Sequence, residues 1–575
     1  MLKNEFIMLI NIHCAKCIGI EAVPVVVEVD ITVGLGIHLV GLADVAVKES
    51  LLRTITALQS MGFRIPGRKI IINLAPADMH KKGSGYDVPI ALGIIKASGQ
   101  RQLPLLDKFI IMGELGLDGT IREVPGALPV AELAREEGLS GCILPVMAAC
   151  EAAEYEGIDI YGVDNLWDVL RILDGELSCD DLLIRNRMNL HGRLYAEGFD
   201  NDGAERPGAG REDCMGGGGA GGVGAGGAGG AGGIGVGGRL PDRSDRGQII
   251  DFEDIIGQES AKRGVEIAAA GGHNVILIGP PGSGKSSLAK AMAGILPPMT
   301  KEESLQTSKI YSVAGKGNPS GGLIRQRPFR APHYSASIAA LIGGGSDNIL
   351  PGEISLAHNG ILMIDEFCEA PKKVLEVLRA PMEDRKVTIS RLKSKIEYPA
   401  DFMLVAATNP CPCGYYGEGD RCTCTPSRRI AYLSKLSGPI MDRIDIQLWM
   451  SPVDPKRLVG RQKAEASADV AARVLRAREI QKKRFADDNQ ASGSATFCNA
   501  AMTGRQIEKY CPLCEECRQV LERIIERMGL SARACSRIIK LARTIADLES
   551  CPDILPRHLS EAAGYRFLDK QNIFG

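Results

Sequence analysis

Gly279-Pro-Pro-Gly-Ser-Gly-Lys-Ser286 lies between an apolar run, Asn274-Val-Ile-Leu-Ile278, and a helical pattern, Ser287-Leu-Ala-Lys-Ala-Met-Ala293. Strand, glycine loop and helix in that order form the context in which G-x-x-x-x-G-K-[ST] cradles phosphate. Glycines let successive backbone N–H groups turn onto phosphate oxygens, and the helix N-terminus adds a favourable dipole. The string predicts that Gly279, Pro280, Pro281, Gly282, Ser283, Gly284, Lys285, Ser286 and Ser287 hold ATP. Lys285 is expected at the β- and γ-phosphates, and the Ser286 hydroxyl on Mg2+.

About eighty residues on, Ile361-Leu-Met-Ile-Asp-Glu366 reads as an apolar strand ending in two acids. Asp365 is expected to complete the Mg2+ shell and Glu366 to polarise the attacking water. A further apolar strand, Phe402-Met-Leu-Val-Ala-Ala-Thr-Asn409, also ends in a polar residue. As in ring ATPases, Asn409 is assigned to sensing the γ-phosphate; the plain alternative is a turn-forming Asn before Pro410. Ser437-Gly-Pro-Ile-Met-Asp-Arg-Ile-Asp445 carries Arg443 between two acids. An arginine placed at a neighbour's γ-phosphate stabilises transition-state charge, whereas the alternative is a surface ion pair. Ser531-Ala-Arg-Ala-Cys-Ser-Arg537 opens a helix whose first turn bears Arg533, a second candidate for reaching phosphate or else a solvated charge.

The 575 residues are 45% hydrophobic and 24% charged, enough for two to four domains with ordinary cores. A net charge of −2 gives no global argument for nucleic acid or membrane, so any nucleic-acid site must be local. No run of ~18 apolar residues and no signal-peptide pattern is present, so no membrane partner is expected. Seventeen cysteines beside a P-loop point to the reducing cytoplasm, with thiols or a metal rather than disulfides.

Residues 1–190 read as an α/β unit, with strands over 23–33, 69–74 and 109–115 and helices over 43–61 and 88–98. Residues 191–247 include the nearly all-glycine tract 216–238 and read as a flexible linker. Residues 248–455 hold the nucleotide motifs, with a Cys-rich insert at 411–424. Residues 456–575 are mostly helical, with helices expected over 464–484, 504–510, 517–528, 532–548 and 556–567.

The ordered motifs carry a resemblance. Asp-Phe-x-Asp-Ile-Ile-Gly-Gln, the glycine loop, R-A-P-H, P-G-E-I-S-L-A-H-N-G-I-L-M-I-D-E, N-P-C-P-C-G-Y-Y-G, S-G-P-I-M-D-R-I-D and L-S-A-R-A follow one another as in the magnesium-chelatase-like AAA+ ATPases of the YifB or ComM family. The chain resembles that family over nearly its whole length apart from the glycine tract. The resemblance implies an α/β fold in three parts: an N-terminal Lon-protease-like domain, an AAA+ core of parallel sheet flanked by helices, and a C-terminal helical lid. It also implies a homohexamer with ATP at subunit interfaces, Arg443 acting in trans, and single-stranded or branched DNA in the pore. Members linked to natural transformation are implicated in branch migration of recombination intermediates. Gly41-Leu-Ala-Asp-Val-Ala-Val-Lys-Glu-Ser50 and Asn73-Leu-Ala-Pro-Ala-Asp78 are similar to the Lon-like domain. The position of the Lon serine falls on Gly85, one residue past Ser84, so the domain is expected to lack peptidase chemistry.

Lys386-Val-Thr-Ile-Ser-Arg-Leu-Lys-Ser-Lys-Ile-Glu-Tyr398 alternates apolar and polar residues about a basic tip, the pattern of a β-hairpin. In related minichromosome-maintenance helicases a hairpin here projects into the pore, which makes Arg391, Lys393 and Lys395 candidate DNA contacts; a solvated tip is the alternative. Arg325-Gln-Arg-Pro-Phe-Arg-Ala-Pro-His333 is a second basic loop, suited to guiding a strand or to packing between subunits. Cys411, Cys413, Cys422 and Cys424 form a C-x-C pair of pairs that suits either a closed structural Zn2+ site or four reduced thiols. Cys511, Cys514 and Cys517 lack a nearby fourth partner and read as incidental. Two rival functions stand beside the DNA motor: a magnesium-chelatase motor subunit, and a protein remodeller with an inactive protease-like domain.

Overall fold

The computed structural model describes residues 9–41, 45–77, 79, 81, 83–175, 179–184, 250–318, 322–345, 349–391, 394–418, 421–452, 464–492 and 496–569. The expected linker 191–247 lies outside the described residues.

Five parallel strands build the sheet that carries the nucleotide motifs. Their order is Phe329–Arg330, Ile361–Ile364, Met403–Thr408, Val275–Ile278, Ile446–Trp449. Ile276 stands opposite both Ala406 and Gln447, so the phosphate-loop strand is central between its neighbours. Both faces are covered, which is why these strands read as unbroken apolar runs. Side chains alternate between two cores. Val275, Leu277, Ile361, Met363, Met403, Val405, Ile446 and Leu448 face one. Ile276, Ile278, Leu362, Ile364, Leu404 and Ala406 face the other. Because the strands run parallel, Gly279, Asp365 and Asn409 all emerge at one edge of the sheet.

The C-terminal helices share the first of these cores rather than standing apart. Val474 and Phe485 of Ser467–Ser492, Leu521 of Glu515–Met528, and Ile538 and Leu541 of Ala532–Leu548 pack in the same cluster as Val275 and Val405. Thr503 and Gln506 close a capping box on Gly504–Tyr510, and Ser531 caps Ala532–Leu548, so both helices begin where the sequence places them. The helix expected over 464–484 instead starts at Ser467 and continues to Ser492. The last helix stops at Gly564, short of the expected residue 567.

The N-terminal part has its own core. A four-stranded sheet in the order Ile10–Ile18, Glu21–Thr32, Lys69–Ala75, Ile37–Val40 packs against Val45–Ser60 and Asp87–Ala97. Gly93 lets the second helix lie close, since a Cβ there would fall 2.4 Å from Val29 Cγ2. The strand expected over 109–115 divides. Phe109–Ile111 joins a parallel sheet with Gly141–Pro145 and Asp159–Val163, while Glu114–Leu115 pairs with Ile121–Arg122. The break falls where Gly113 turns its N–H to the Gly85 carbonyl at 3.1 Å.

The two parts touch. Lys309 pairs with Glu132 at 2.5 Å, and the Gly126 N–H reaches the Ser312 carbonyl at 3.1 Å.

Candidate nucleotide-binding site

The phosphate loop leaves the sheet after Ile278 with two left-handed glycines, Gly282 at φ +79° and Gly284 at φ +87°. An added Cβ at either would meet nothing within 4 Å, so the loop surrounds open space. Gly279 is needed for the opposite reason: a Cβ there would lie 2.5 Å from the Met450 carbonyl oxygen. Ser283 turns inward and donates to the Pro280 carbonyl at 2.9 Å.

Lys285 opens the helix Lys285–Gly294 and folds back over the loop. Its ammonium donates to the carbonyls of Gly279 at 2.7 Å and Pro280 at 2.9 Å, and to Asn409 Oδ1 at 3.3 Å. Burial lowers its pKa, while the charges of Asp365 and Glu366 act the other way. Ser286 donates to Asp365 Oδ2 at 2.7 Å. Asp365 Oδ1 accepts the Glu366 N–H at 2.9 Å, and Glu366 sits at φ +50°. That left-handed backbone, unusual for a non-glycine residue, turns the chain away sharply after the strand.

Lys285, Ser286, Asp365, Glu366 and Asn409, drawn from three strand ends, thus meet at one site. A partly buried ammonium, a hydroxyl on a carboxylate and an open glycine cradle fit a triphosphate with its divalent cation. Gln258 also belongs to the site, although no role for it was evident in the sequence. At φ +62° it donates to the carbonyls of Ser283 at 3.3 Å and Ser451 at 2.5 Å, tying the loop to the end of the last strand. Its signal was the Ile-Gly-Gln string before the helix Glu259–Gly271.

Two predicted residues stand elsewhere in the chain. Arg443 pairs with Glu383 and donates to the Pro439 carbonyl at 2.7 Å. Its backbone carbonyl accepts from Asn274 at 3.0 Å, at the sheet edge opposite the phosphate loop. Its Nε is buried without a partner among the described residues. Arg533 is exposed in the first turn of Ala532–Leu548. One turn on, Arg537 pairs with Asp445, at the same far edge.

The hairpin forms as Lys386–Arg391 and Ser394–Pro399, with Arg391 opposite Ser394. Val387, Ile389 and Tyr398 are buried, while Lys386, Thr388, Lys395 and Glu397 face outward. Lys395 is exposed and pairs with Glu397 at 3.3 Å. The Arg391 side chain and all of Lys393 lie outside the described residues. In the second basic loop, Arg327 is engaged by Glu303 at 2.8 Å and Arg330 by Glu353 at 2.7 Å. These arginines fasten the loop to its own chain, and only Arg325 is widely exposed.

The four cysteines converge. Cys411 and Cys413 sulfurs are 3.3 Å apart, Cys413 and Cys422 3.6 Å, and Cys411 and Cys422 3.8 Å. All four sulfurs lie within 4.8 Å of one another. Cys517, by contrast, is buried and donates to the Ile554 carbonyl at 3.2 Å. In the N-terminal part, Ser84 donates to Glu114, and a Cβ at Gly85 would fall 3.2 Å from Met112 Cε.

The family described as magnesium chelatase, subunit ChlI, matches residues 251–458. The families described as subunit ChlI of Mg-chelatase and as its C-terminal part match residues 27–148 and 464–566. The chain is 38% identical to the protein YifB of Salmonella typhimurium over 97% of each. It is 36% identical to the competence protein ComM of Haemophilus influenzae, over 96% of this chain and 97% of that one. A more distant likeness, 24% identical, joins 55% of the chain to 34% of the DNA replication licensing factor mcm6 of Dictyostelium discoideum. Its α/β architecture fits the AAA+-like fold of magnesium chelatase, and with full-length similarity to both YifB and ComM the chain belongs to the YifB/ComM family of magnesium-chelatase-like proteins.

Proposed function

We propose that this protein is an ATP-hydrolysing motor that works as a homohexameric ring on branched or single-stranded DNA, as a helicase or branch-migration factor. The observation that carries the ATPase reading is the meeting of Ser286 with Asp365 at 2.7 Å beside Lys285 and Asn409. In this reading Gly279 to Ser287 bind the triphosphate, Ser286 and Asp365 hold Mg2+, Glu366 orients water, and Asn409 senses the γ-phosphate. Bound Mg2+ supplies neutralisation of charge on the phosphates. Arg443 is assigned to the neighbouring subunit's nucleotide, because it stands at the far edge of the sheet from its own phosphate loop, and Arg533 to reaching a phosphate and reporting hydrolysis to the lid. Ala532–Leu548 and its neighbours then act as a lid that carries the signal between subunits.

The DNA reading draws on the outward polar face of the 386–399 hairpin and on likeness to proteins named for competence and for DNA replication licensing. Arg391, Lys393 and Lys395 are its proposed contacts. The N-terminal domain, boundaries 1–190, is proposed as Lon-like and inactive as a peptidase, with Gly85 where the nucleophile would stand. Cys411, Cys413, Cys422 and Cys424 are proposed to bind one structural zinc, and the protein to work in the reducing cytoplasm. The family's chelatase name favours a second reading, a motor for metal insertion.

The deciding experiment is ATP-driven branch migration of a fluorescent four-way junction by the purified full chain, with Lys285→Ala as control. Strand exchange that needs ATP and vanishes in the variant is the expected result. ATP hydrolysis with neither junction movement nor DNA stimulation would overturn the DNA reading in favour of the chelatase motor.

A further inference from the structure

The cysteine cluster stands against the nucleotide site. Between the strand ending at Thr408 and the helix Pro426–Leu433 the chain runs through residues 409–425 with neither α-helix nor strand among those described. A loop of that length needs a local fastening to hold one shape. Its described backbone bonds are few: Gly414 N–H to the Cys411 carbonyl at 2.9 Å, Glu418 to Tyr415 at 3.0 Å, and Arg421 to Glu418 at 3.4 Å. What it buries is Pro410, Cys411, Gly414 and Cys424. Two of the four cysteines, Cys411 and Cys424, therefore lie in the interior of this loop, with Cys413 and Cys422 half-buried beside them.

Their spacing is that of ligands. A tetrahedral Zn–S bond of about 2.3 Å gives S···S edges of about 3.8 Å. The three sulfur pairs at 3.3, 3.6 and 3.8 Å approach that edge, and a disulfide would need about 2.0 Å. Four thiolates fill a tetrahedron, which makes the site structural.

The loop touches the site on two sides. Gly414, at φ +86°, presses on the phosphate loop: a Cβ there would lie 3.0 Å from Pro281 Cδ and 3.9 Å from Asn409 Cγ. Asn409 is two residues before Cys411 and holds the Lys285 ammonium at 3.3 Å. On the other side, Tyr416 meets Trp449 edge-on at 6.1 Å, at the end of the strand beside the phosphate-loop strand, and the Arg429 guanidinium lies 4.3 Å over the Tyr416 ring.

We propose that the zinc-bound four-cysteine knot is a wall of the nucleotide site, which fixes Pro281 and Asn409 so that zinc occupancy sets nucleotide affinity. This rests on the ATPase and zinc readings above. Coupling of this kind is reciprocal: if zinc tightens nucleotide binding, nucleotide must tighten zinc binding by the same factor. Gly414 carries the contact, so its substitution separates the coupling from the metal. An alanine there is strained at positive φ and pushes on Pro281, yet leaves all four thiols in place.

The test uses the full chain, purified without chelator. Zinc is counted by mass spectrometry, its release is followed with a pyridylazo dye, and binding of a fluorescent ATP analogue is titrated. The expected results are about one zinc per chain and its loss in Cys422→Ser. Analogue affinity should fall about tenfold both in that variant and in Gly414→Ala, which keeps its zinc. Zinc release should slow when the analogue is bound. Circular dichroism and melting verify each fold, and should Cys422→Ser unfold, Gly414→Ala and the release rate still decide. A zinc-free protein would overturn the proposal at the metal. Zinc bound at full occupancy, with analogue affinity equal in wild type, stripped protein and Gly414→Ala, would overturn the coupling alone. A wild type that binds zinc and no nucleotide would overturn it by way of the ATPase reading.

Discussion

The Ser286 hydroxyl and the Asp365 carboxylate, 79 residues apart in sequence, lie 2.7 Å from each other at the mouth of the phosphate loop. If they hold one Mg2+ between them, as proposed, they act as a unit and their removal should not add. Ser286→Ala and Asp365→Asn are each expected to lower kcat for ATP about a hundredfold, and the double variant little further. Steady-state ATPase over a Mg2+ titration measures this. Additive losses would mean that the two side chains serve separate steps.

Arg443 is bonded to Glu383 and the Pro439 carbonyl, at the far edge from its own phosphate loop. If it completes a neighbour's site, Arg443→Ala and Lys285→Ala should each lack ATPase alone, with losses of about a thousandfold. Mixing the two should then restore a fraction of activity, because some interfaces pair an intact loop with an intact arginine. A mixture as inactive as its components would remove Arg443 from the trans role.

The hairpin prediction concerns salt. Taking one cationic side chain off the phosphates should reduce the slope of log affinity against log salt by roughly 0.7 to 0.9. Charge reversal at Lys395, which already shares its charge with Glu397 at 3.3 Å, should change that slope less than reversal at Arg391 or Lys393. Fluorescence anisotropy with single-stranded DNA from low to moderate salt reads the difference. Equal, negligible effects at all three positions would take the hairpin off the DNA path.

The meeting of Lys285 with Asn409 and of Ser286 with Asp365 was legible in sequence. Lys285, Ser286, Asp365 and Asn409 each follow an apolar strand, and parallel strands deliver their ends to one edge. The positions of Arg443 and Arg533 were not legible: Arg443 is held by Glu383 and the Pro439 carbonyl at the far edge of the sheet, and Arg533 goes with the helix Ala532–Leu548, which docks there through Arg537 and Asp445. Nor could spacing alone foresee that Arg327 and Arg330 would be consumed by Glu303 and Glu353. Basic loops look alike in sequence whether their charges face a ligand or their own chain. The four cysteines fall between: their spacing left zinc and free thiols open, and their convergence within 4.8 Å required the fold of the loop.

His358 supplies a pH prediction. It is buried; its Nδ1 accepts the Asp401 N–H at 3.0 Å and its Nε2 lies 3.4 Å from Gln306 Oε1, an arrangement that suits the neutral ring. Burial lowers its pKa from 6.5 to about 4, with Asp401 and Glu303 opposing the shift. Between those values the unfolded chain binds a proton that the folded chain refuses. Stability should therefore fall as pH drops from 6.5 toward 4, by on the order of 3 kcal/mol. In His358→Asn, where the amide oxygen can replace Nδ1 as acceptor, that part of the slope should vanish. Urea unfolding across this range measures it, and an unchanged slope would place the titration elsewhere.

Asp445 should give an acid limb of its own. Its carboxylate pairs with Arg537, lies 3.4 Å from His273 Nδ1 and accepts the Asn274 N–H at 3.1 Å. Burial alone would raise its pKa, but Arg537 and His273 outweigh it and hold the carboxyl well below the usual carboxylate range. Its contribution is then complete above the unfolded value near pH 4 and is withdrawn as pH falls through the folded value. Asp445→Asn leaves Arg537 uncompensated, so at pH 7 it should cost roughly 3 kcal/mol. The gap between wild type and variant should narrow in acid, because only the wild type still has a proton to take up there. Denaturant melts at pH 7 and pH 3 test both parts. A gap that stayed constant with pH would assign the loss to the hydrogen bonds rather than to the charge, and would leave the Arg537 contact as packing between the C-terminal helix and the sheet.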